Sequence, residues 1–181
     1  VMPQGLGSGT VIVGIHIAAP GLAVQPGSPV DVLGRARLST VYMPGYKVTM
    51  LPDDVVQTYT LLEGRDCPSV SLYVTLDEAT LEIKGSETRL ERVPIVWNLR
   101  HDQLDTVVTE AWLSDPAIDH QNDLQPLQDV HKSLSLLYRL AKDLKAKREV
   151  VRGKPETFNR PDYNFRLNGN AGGAPQGDEE V

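Results

Sequence analysis

Cysteine is almost missing from this chain: among 181 residues only Cys67 carries a thiol. No internal disulfide can form, and the sequence fits a reducing, intracellular setting. Long hydrophobic runs are missing too. No apolar stretch approaches the roughly 20 residues that cross a bilayer, and no signal-peptide pattern is present. The expectation is therefore a cytoplasmic protein with no membrane partner. Positive charge is scarce overall, with 18 Lys and Arg against 24 Asp and Glu and a formal charge of −6. That balance excludes a global electrostatic hold on nucleic acid, so any phosphate contact has to come from a local basic patch or from residues elsewhere in a longer protein. Zinc-ligand spacing is absent, because His16, His120 and His131 share none with one another or with Cys67. No metal site is predicted within the chain.

Enough apolar residues remain, at 40%, for a real core, and the length suits one domain or a large part of one. Val1 precedes Met2, and Gly5-Leu6-Gly7-Ser8-Gly9 reads as a loop entering the first strand. Residues 168–181 are polar and Gly-rich without an apolar period, which predicts a loop cut in the middle. Both ends are expected to be internal to a longer protein.

Thr10 to Ala18 is a β-branched apolar run, a buried strand that Pro20-Gly21 ends. Ser28, Pro29 and Asp31 form a helix start, with a capping hydroxyl, a first-turn proline and a carboxylate at the positive end of the dipole. That helix should run to about Leu38. Val41 and Tyr42 are extended, and the ring of Pro44 keeps the preceding residue, Met43, out of helical geometry. Pro52-Asp53-Asp54 opens a second short helix, and its carboxylates are dipole partners rather than metal ligands.

Val70–Leu76, Thr80–Lys84 and Thr88–Trp97 read as a meander of three strands, with Asp77-Glu78-Ala79 as a hairpin link and Pro94 marking an edge or bulge. Helical spacing follows over Asp102–Leu113, and a long helix over Leu127 to about Val151 carries Leu134, Leu137, Tyr138, Ala141 and Leu144 on one face. Phe158 to Leu167 returns to extended structure. The predicted class is α+β, with a mixed, mostly antiparallel sheet and flanking helices.

Four pieces carry a family likeness: Val13-Gly14-Ile15-His16-Ile17-Ala18-Ala19-Pro20, Pro26-Gly27-Ser28-Pro29-Val30-Asp31, Ser39-Thr40-Val41-Tyr42-Met43-Pro44 and Met50-Leu51-Pro52. In that order and spacing they resemble the central part of the RNB catalytic domain of the ribonuclease II and ribonuclease R family. Arg160-Pro161-Asp162-Tyr163-Asn164-Phe165-Arg166-Leu167 resembles a later strand of the same domain. The likeness makes residues 1–167 a partial RNB catalytic domain. It implies a 3′ to 5′ exoribonuclease that hydrolyses single-stranded RNA to nucleoside 5′-monophosphates, using water activated on Mg²⁺. The family's metal-binding aspartate cluster belongs before Val11 and its later acidic helix and arginine motif after Val181, so the resemblance assigns no catalytic residue to this segment, which should not cut RNA alone. It implies a monomeric parent protein with single-stranded RNA as partner.

Three residues are candidates for RNA contact. Tyr42 matches a family tyrosine that packs on the 3′-terminal nucleotide; a strand tyrosine is otherwise packing. His101 stands where relatives commonly have a tyrosine along the RNA path, and its flat ring can stack or donate a hydrogen bond, against the equal reading of a helix-start histidine. Arg37 is the nearby candidate for a phosphate, against the plainer reading of a solvated helix arginine. The basic run Arg139, Lys142, Lys145, Lys147, Arg148, Arg152, Lys154 either tracks a phosphate backbone or is a solvated helix face. Ala19 replaces an aspartate of the family pattern. A catalytically degenerate RNA-binding or protein-interaction module is the alternative to the enzyme.

Overall fold

The computed structural model describes residues 3–100, 104–105, 107–114 and 125–157, the last with side chains from residue 130 onward. Phe158–Leu167, the tail 168–181 and His101 lie outside the described residues. The chain divides into two compact units, which among the described residues comprise 3–23 with 54–157, and 24–53.

The larger unit is built on an antiparallel sheet in the order β1 (Thr10–Ala18), β4 (Asp66–Asp77), β5 (Ile83–Pro94). Strand β1 has the expected bounds. Alternation then decides the faces. Val11 and Val13 of β1 and Val74 and Leu76 of β4 point to one side, where they pack with Leu81 and with Leu136, Leu137 and Leu140 of the long helix α4 (Gln125–Arg152). Farther along the same side Ile15, Ile17, Val70, Leu72 and Leu90 are exposed. Gly14, His16, Ser71, Tyr73 and Glu91 point to the opposite side. A Cβ on Gly14 would lie 2.8 Å from Nε2 of His16, so the bare glycine is what lets that ring fold back along its own strand.

The expected three-strand meander is two strands of 12 residues. The turn between them spans 78–82 because Asp77 organises it: Oδ1 accepts from the Ala79 and Thr80 amides, Lys84 donates to Oδ2 at 2.7 Å, and the Leu81 amide donates to the Asp77 carbonyl. Leu81 takes a left-handed φ of 59° that puts its side chain into the core. Gly85, Ser86 and Glu87 then pair with Thr75, Val74 and Tyr73 within β5, next to a bulge at Thr75/Leu76. Among the described residues β5 lies at the edge of the sheet, where Pro94 is tolerated, and just past it Ile95 still exchanges backbone hydrogen bonds with Arg65 and Gly64.

Of the helix expected over Asp102–Leu113, Leu104 is helical, its amide donating to the Arg100 carbonyl, residues 102, 103 and 106 lie outside the described residues, and α3 (Glu110–Ser114) follows a break at Val107–Thr109. The β-branched run Val107-Val108-Thr109 is a poor helix interior, and the Thr109 hydroxyl instead accepts from the Trp112 amide. Helix α4 meets two partners, the sheet and α3. It therefore buries a wider arc than the predicted stripe, including Val130, Ser133 and Leu136. His131 Nε2 donates to the Trp112 carbonyl at 2.7 Å, which requires the Nε2–H tautomer, and Ser135 donates to the Leu113 carbonyl.

The smaller unit holds α1 (Pro29–Arg37), the hairpin β2 (Val41–Met43) and β3 (Tyr46–Val48), and the segment leading to α2 (Asp53–Tyr59). Ser28 caps α1 as predicted, accepting from the Asp31 amide at 3.2 Å, while Asp31 takes the Gly27 amide and pairs with Arg35. Gly34 brings Leu51 and Met50 close against α1. The α+β class with antiparallel sheets and flanking helices is the observed one.

Candidate nucleic-acid interface

The β2–β3 hairpin turns over Pro44-Gly45, with φ 72° at Gly45. Proline suits the first central position of a type II turn and glycine the second, where φ must be positive. This tight turn places Tyr42 directly across from Lys47, and Met43 across from Tyr46. Tyr42 as a residue is 62% exposed and Tyr46 67%. Tyr42 is therefore a presented ring, not a packed one.

Arg37 lies in the same unit, at the last turn of α1. Its Nη1 donates to the Thr49 carbonyl at 2.7 Å, fastening the exit of β3 to the helix end. The remaining donors of its fork stay on an exposed side chain. Thr49 also donates to the Leu51 carbonyl and to Asp53 Oδ1, so Asp53 is engaged in the turn that starts α2. Among the described residues no group of three or more His, Cys, Asp or Glu side chains could hold a metal ion. The described carboxylates therefore do not fit a Mg²⁺ site.

The basic run on α4 is largely neutralised by its own neighbours. Lys142 pairs with Glu110, Lys147 with Asp143, Lys145 with Glu149, and both Arg148 and Arg152 with Glu156. Lys142, and after it the Tyr138 hydroxyl, hold the Glu110 carboxyl below its ordinary value. Five of the seven cations thus have a carboxylate within 4.0 Å, which is the pattern of a solvated helix face.

Among the described residues of the larger unit, two concave regions stand out. One, of about 950 Å³, lies between α4, α3 and the 5–9 loop, with Leu81, Leu113 and Leu136 among its lining and Lys132 and Arg139 on its wall. That loop is held by Glu78, whose carboxylate accepts from the Gly7 and Gly9 amides. The other, of about 570 Å³, is flanked by Arg65 and Arg92. Both arginines donate to backbone carbonyls, Arg65 to Gln57 and Thr60, Arg92 to Asp66.

On the open side of the sheet His16, Ser71, Glu91 and Tyr73 form one chain. Nδ1 of His16 is 2.8 Å from Ser71 Oγ, and Tyr73 donates to Glu91 at 2.7 Å. The bonds from Ser71 and then Tyr73 hold the Glu91 carboxyl below its ordinary value. The His16 ring and the Ser71 hydroxyl thus share a hydrogen bond across β1 and β4, whose direction follows the imidazole tautomer. Ser71 is fully buried, so this is a brace across three strands and not an exposed nucleophile.

Lys47 and Tyr46 were not foreseen as site residues. The signal was present in Met43-Pro44-Gly45-Tyr46, a two-residue turn that forces cross-strand pairing.

An α+β unit on a β1-β4-β5 antiparallel sheet, joined in sequence to a hairpin that displays an aromatic ring, is the arrangement found. The RNB domain pattern matches residues 3–179, and the chain belongs to that family. It is 31% identical over 162 residues to exoribonuclease 2 of Edwardsiella piscicida, covering 88% of this chain and 23% of that protein. Protein SSD1 of Saccharomyces cerevisiae is 35% identical over 80 residues, which are 44% of this chain and 6% of that protein. The structure of yeast Ssd1, a pseudonuclease, superposes with a TM-score of 0.64 at 25% identity, over 86% of this chain and 17% of Ssd1. RNase R of Mycoplasma genitalium, solved with double-stranded RNA, gives a TM-score of 0.59 at 21% identity, over 76% of this chain and 23% of that chain. The chain thus spans less than a quarter of each. Among the described residues no helix is long and apolar enough to cross a membrane.

Proposed function

We propose that this chain is part of a cytoplasmic, monomeric 3′ to 5′ exoribonuclease that hydrolyses single-stranded RNA to nucleoside 5′-monophosphates. Its contribution is channel wall and terminal-nucleotide clamp. The observation that carries the reading is the exposed ring of Tyr42 on a tight hairpin, in a chain that belongs to the RNB family. An exposed aromatic ring held by short strands offers a stacking platform for any base, which gives grip without sequence preference. His101 and Arg37 are proposed further contacts to the strand. The carboxylates that would hold Mg²⁺ are proposed to lie outside this chain, so no hydrolytic step is assigned to its residues.

The test is degradation of a 5′-labelled single-stranded RNA by the full-length protein with Mg²⁺ and with chelator. Stepwise shortening from the 3′ end and release of 5′-monophosphates only with Mg²⁺ supports the reading. A second reading is favoured by the likeness to SSD1 and by Ala19 in place of the pattern's aspartate: a degenerate module that binds RNA without cutting it. Retention of the RNA with no shortening in Mg²⁺ would select that reading.

A further inference from the structure

We infer that Lys47 is a phosphate-contacting residue for the nucleotide stacked on Tyr42, an inference that rests on the stacking role proposed above. Tyr42 and Lys47 are directly paired across the β2–β3 hairpin, so their side chains leave the same face with Cβ atoms about 5 Å apart. A nucleotide is flat and aromatic at its base and anionic at its phosphate. The pair matches both ends, one with a π face and the other with a cation on a flexible stem.

One further observation favours Lys47 as the cation of this site. The turn at Pro44-Gly45 leaves no slack between the strands, so the spacing of ring and ammonium stem is set by backbone pairing and is ready before a ligand arrives. An ammonium has three donors, so a contact within the free protein leaves others for a phosphate oxygen.

The experiment is fluorescence anisotropy of a labelled oligouridylate with a free 3′ end, titrated with the full-length protein across a salt series. Metal is chelated so that the probe stays intact. Lys47→Gln is expected to weaken binding by about tenfold at low salt and to reduce the slope of log K against log salt by about 0.7, the value of one phosphate on a single strand. Lys47→Arg is expected to keep the slope. Tyr42→Ala is expected to weaken binding with the slope unchanged, since stacking releases no counterion. If Tyr42→Ala weakens binding while Lys47→Gln matches wild type in affinity and slope, the role of Lys47 is overturned and the stacking reading stands. If neither variant differs from wild type, or the wild-type protein does not hold the oligomer, both are overturned. Far-UV circular dichroism of each variant checks that the hairpin unit is folded.

Discussion

His16 Nδ1 and the buried hydroxyl of Ser71 share a hydrogen bond of 2.8 Å, joining β1 to β4 at a point where Glu91 of β5 completes the row. Burial, opposed by the Glu91 charge, lowers the His16 pKa from its ordinary 6.5. Just below 6.5 an unfolded chain therefore takes up a proton that the folded chain refuses, and stability falls as pH falls. Glu91 acts in the same direction lower down, since its carboxyl is held below 4.5. Urea midpoints measured at about pH 7 and about pH 5 should differ less for His16→Gln than for wild type. Equal pH dependence in the two proteins would remove the role given to this histidine.

Tyr42→Ala should weaken single-stranded RNA binding by about 1–3 kcal/mol, and Tyr42→Phe should be close to neutral because stacking needs the ring and not the hydroxyl. Thermal unfolding should be nearly unchanged in both, since the side chain is mostly in solvent. A melting temperature that drops with the affinity would show that the ring packs rather than presents.

Leu76 has no exposed surface and sits among Val11, Val13, Leu81 and Leu136. Truncation to alanine should cost about 3 kcal/mol by denaturant unfolding, from lost transfer energy and the cavity left behind. Val150, near the end of α4 and 82% exposed, provides the contrast. Val150→Ala should stay within about 0.5 kcal/mol.

Leu38 closes α1 at φ 63°, a region that costs a branched side chain, while the side chain itself is 78% exposed. Leu38→Gly should raise stability by about 0.5–1 kcal/mol in the same assay, since strain is relieved and little burial is lost. Destabilisation would mean that the side chain packs in a way its exposure does not reveal.

Local chemistry was legible in the sequence wherever a signal acts within a few residues. The bounds of β1 follow from a β-branched run closed by Pro20. The start of α1 follows from Ser28, whose hydroxyl reaches an amide three residues on. The opening of α2 follows from the Pro52-Asp53-Asp54 signal. The β4–β5 turn was not legible, because its length depends on Leu81 accepting a left-handed backbone in exchange for core burial, a bargain struck with Leu136 more than 50 residues away. The break before α3 was hidden for a related reason: apolar spacing alone does not show that β-branched residues will yield to a Thr109 cap.

What the sequence determined by itself is therefore the local grammar and, through the spacing of its motifs, membership in the RNB family. Tertiary structure alone decided what each cation stands beside. On α4 most basic side chains find carboxylates one turn away or on neighbouring elements, and the hairpin sets Lys47 opposite Tyr42. A charge count along the chain weighs these cations equally, but strand pairing and helix packing fix which of them stands beside an exposed ring. Pairing distance is a property of the folded backbone.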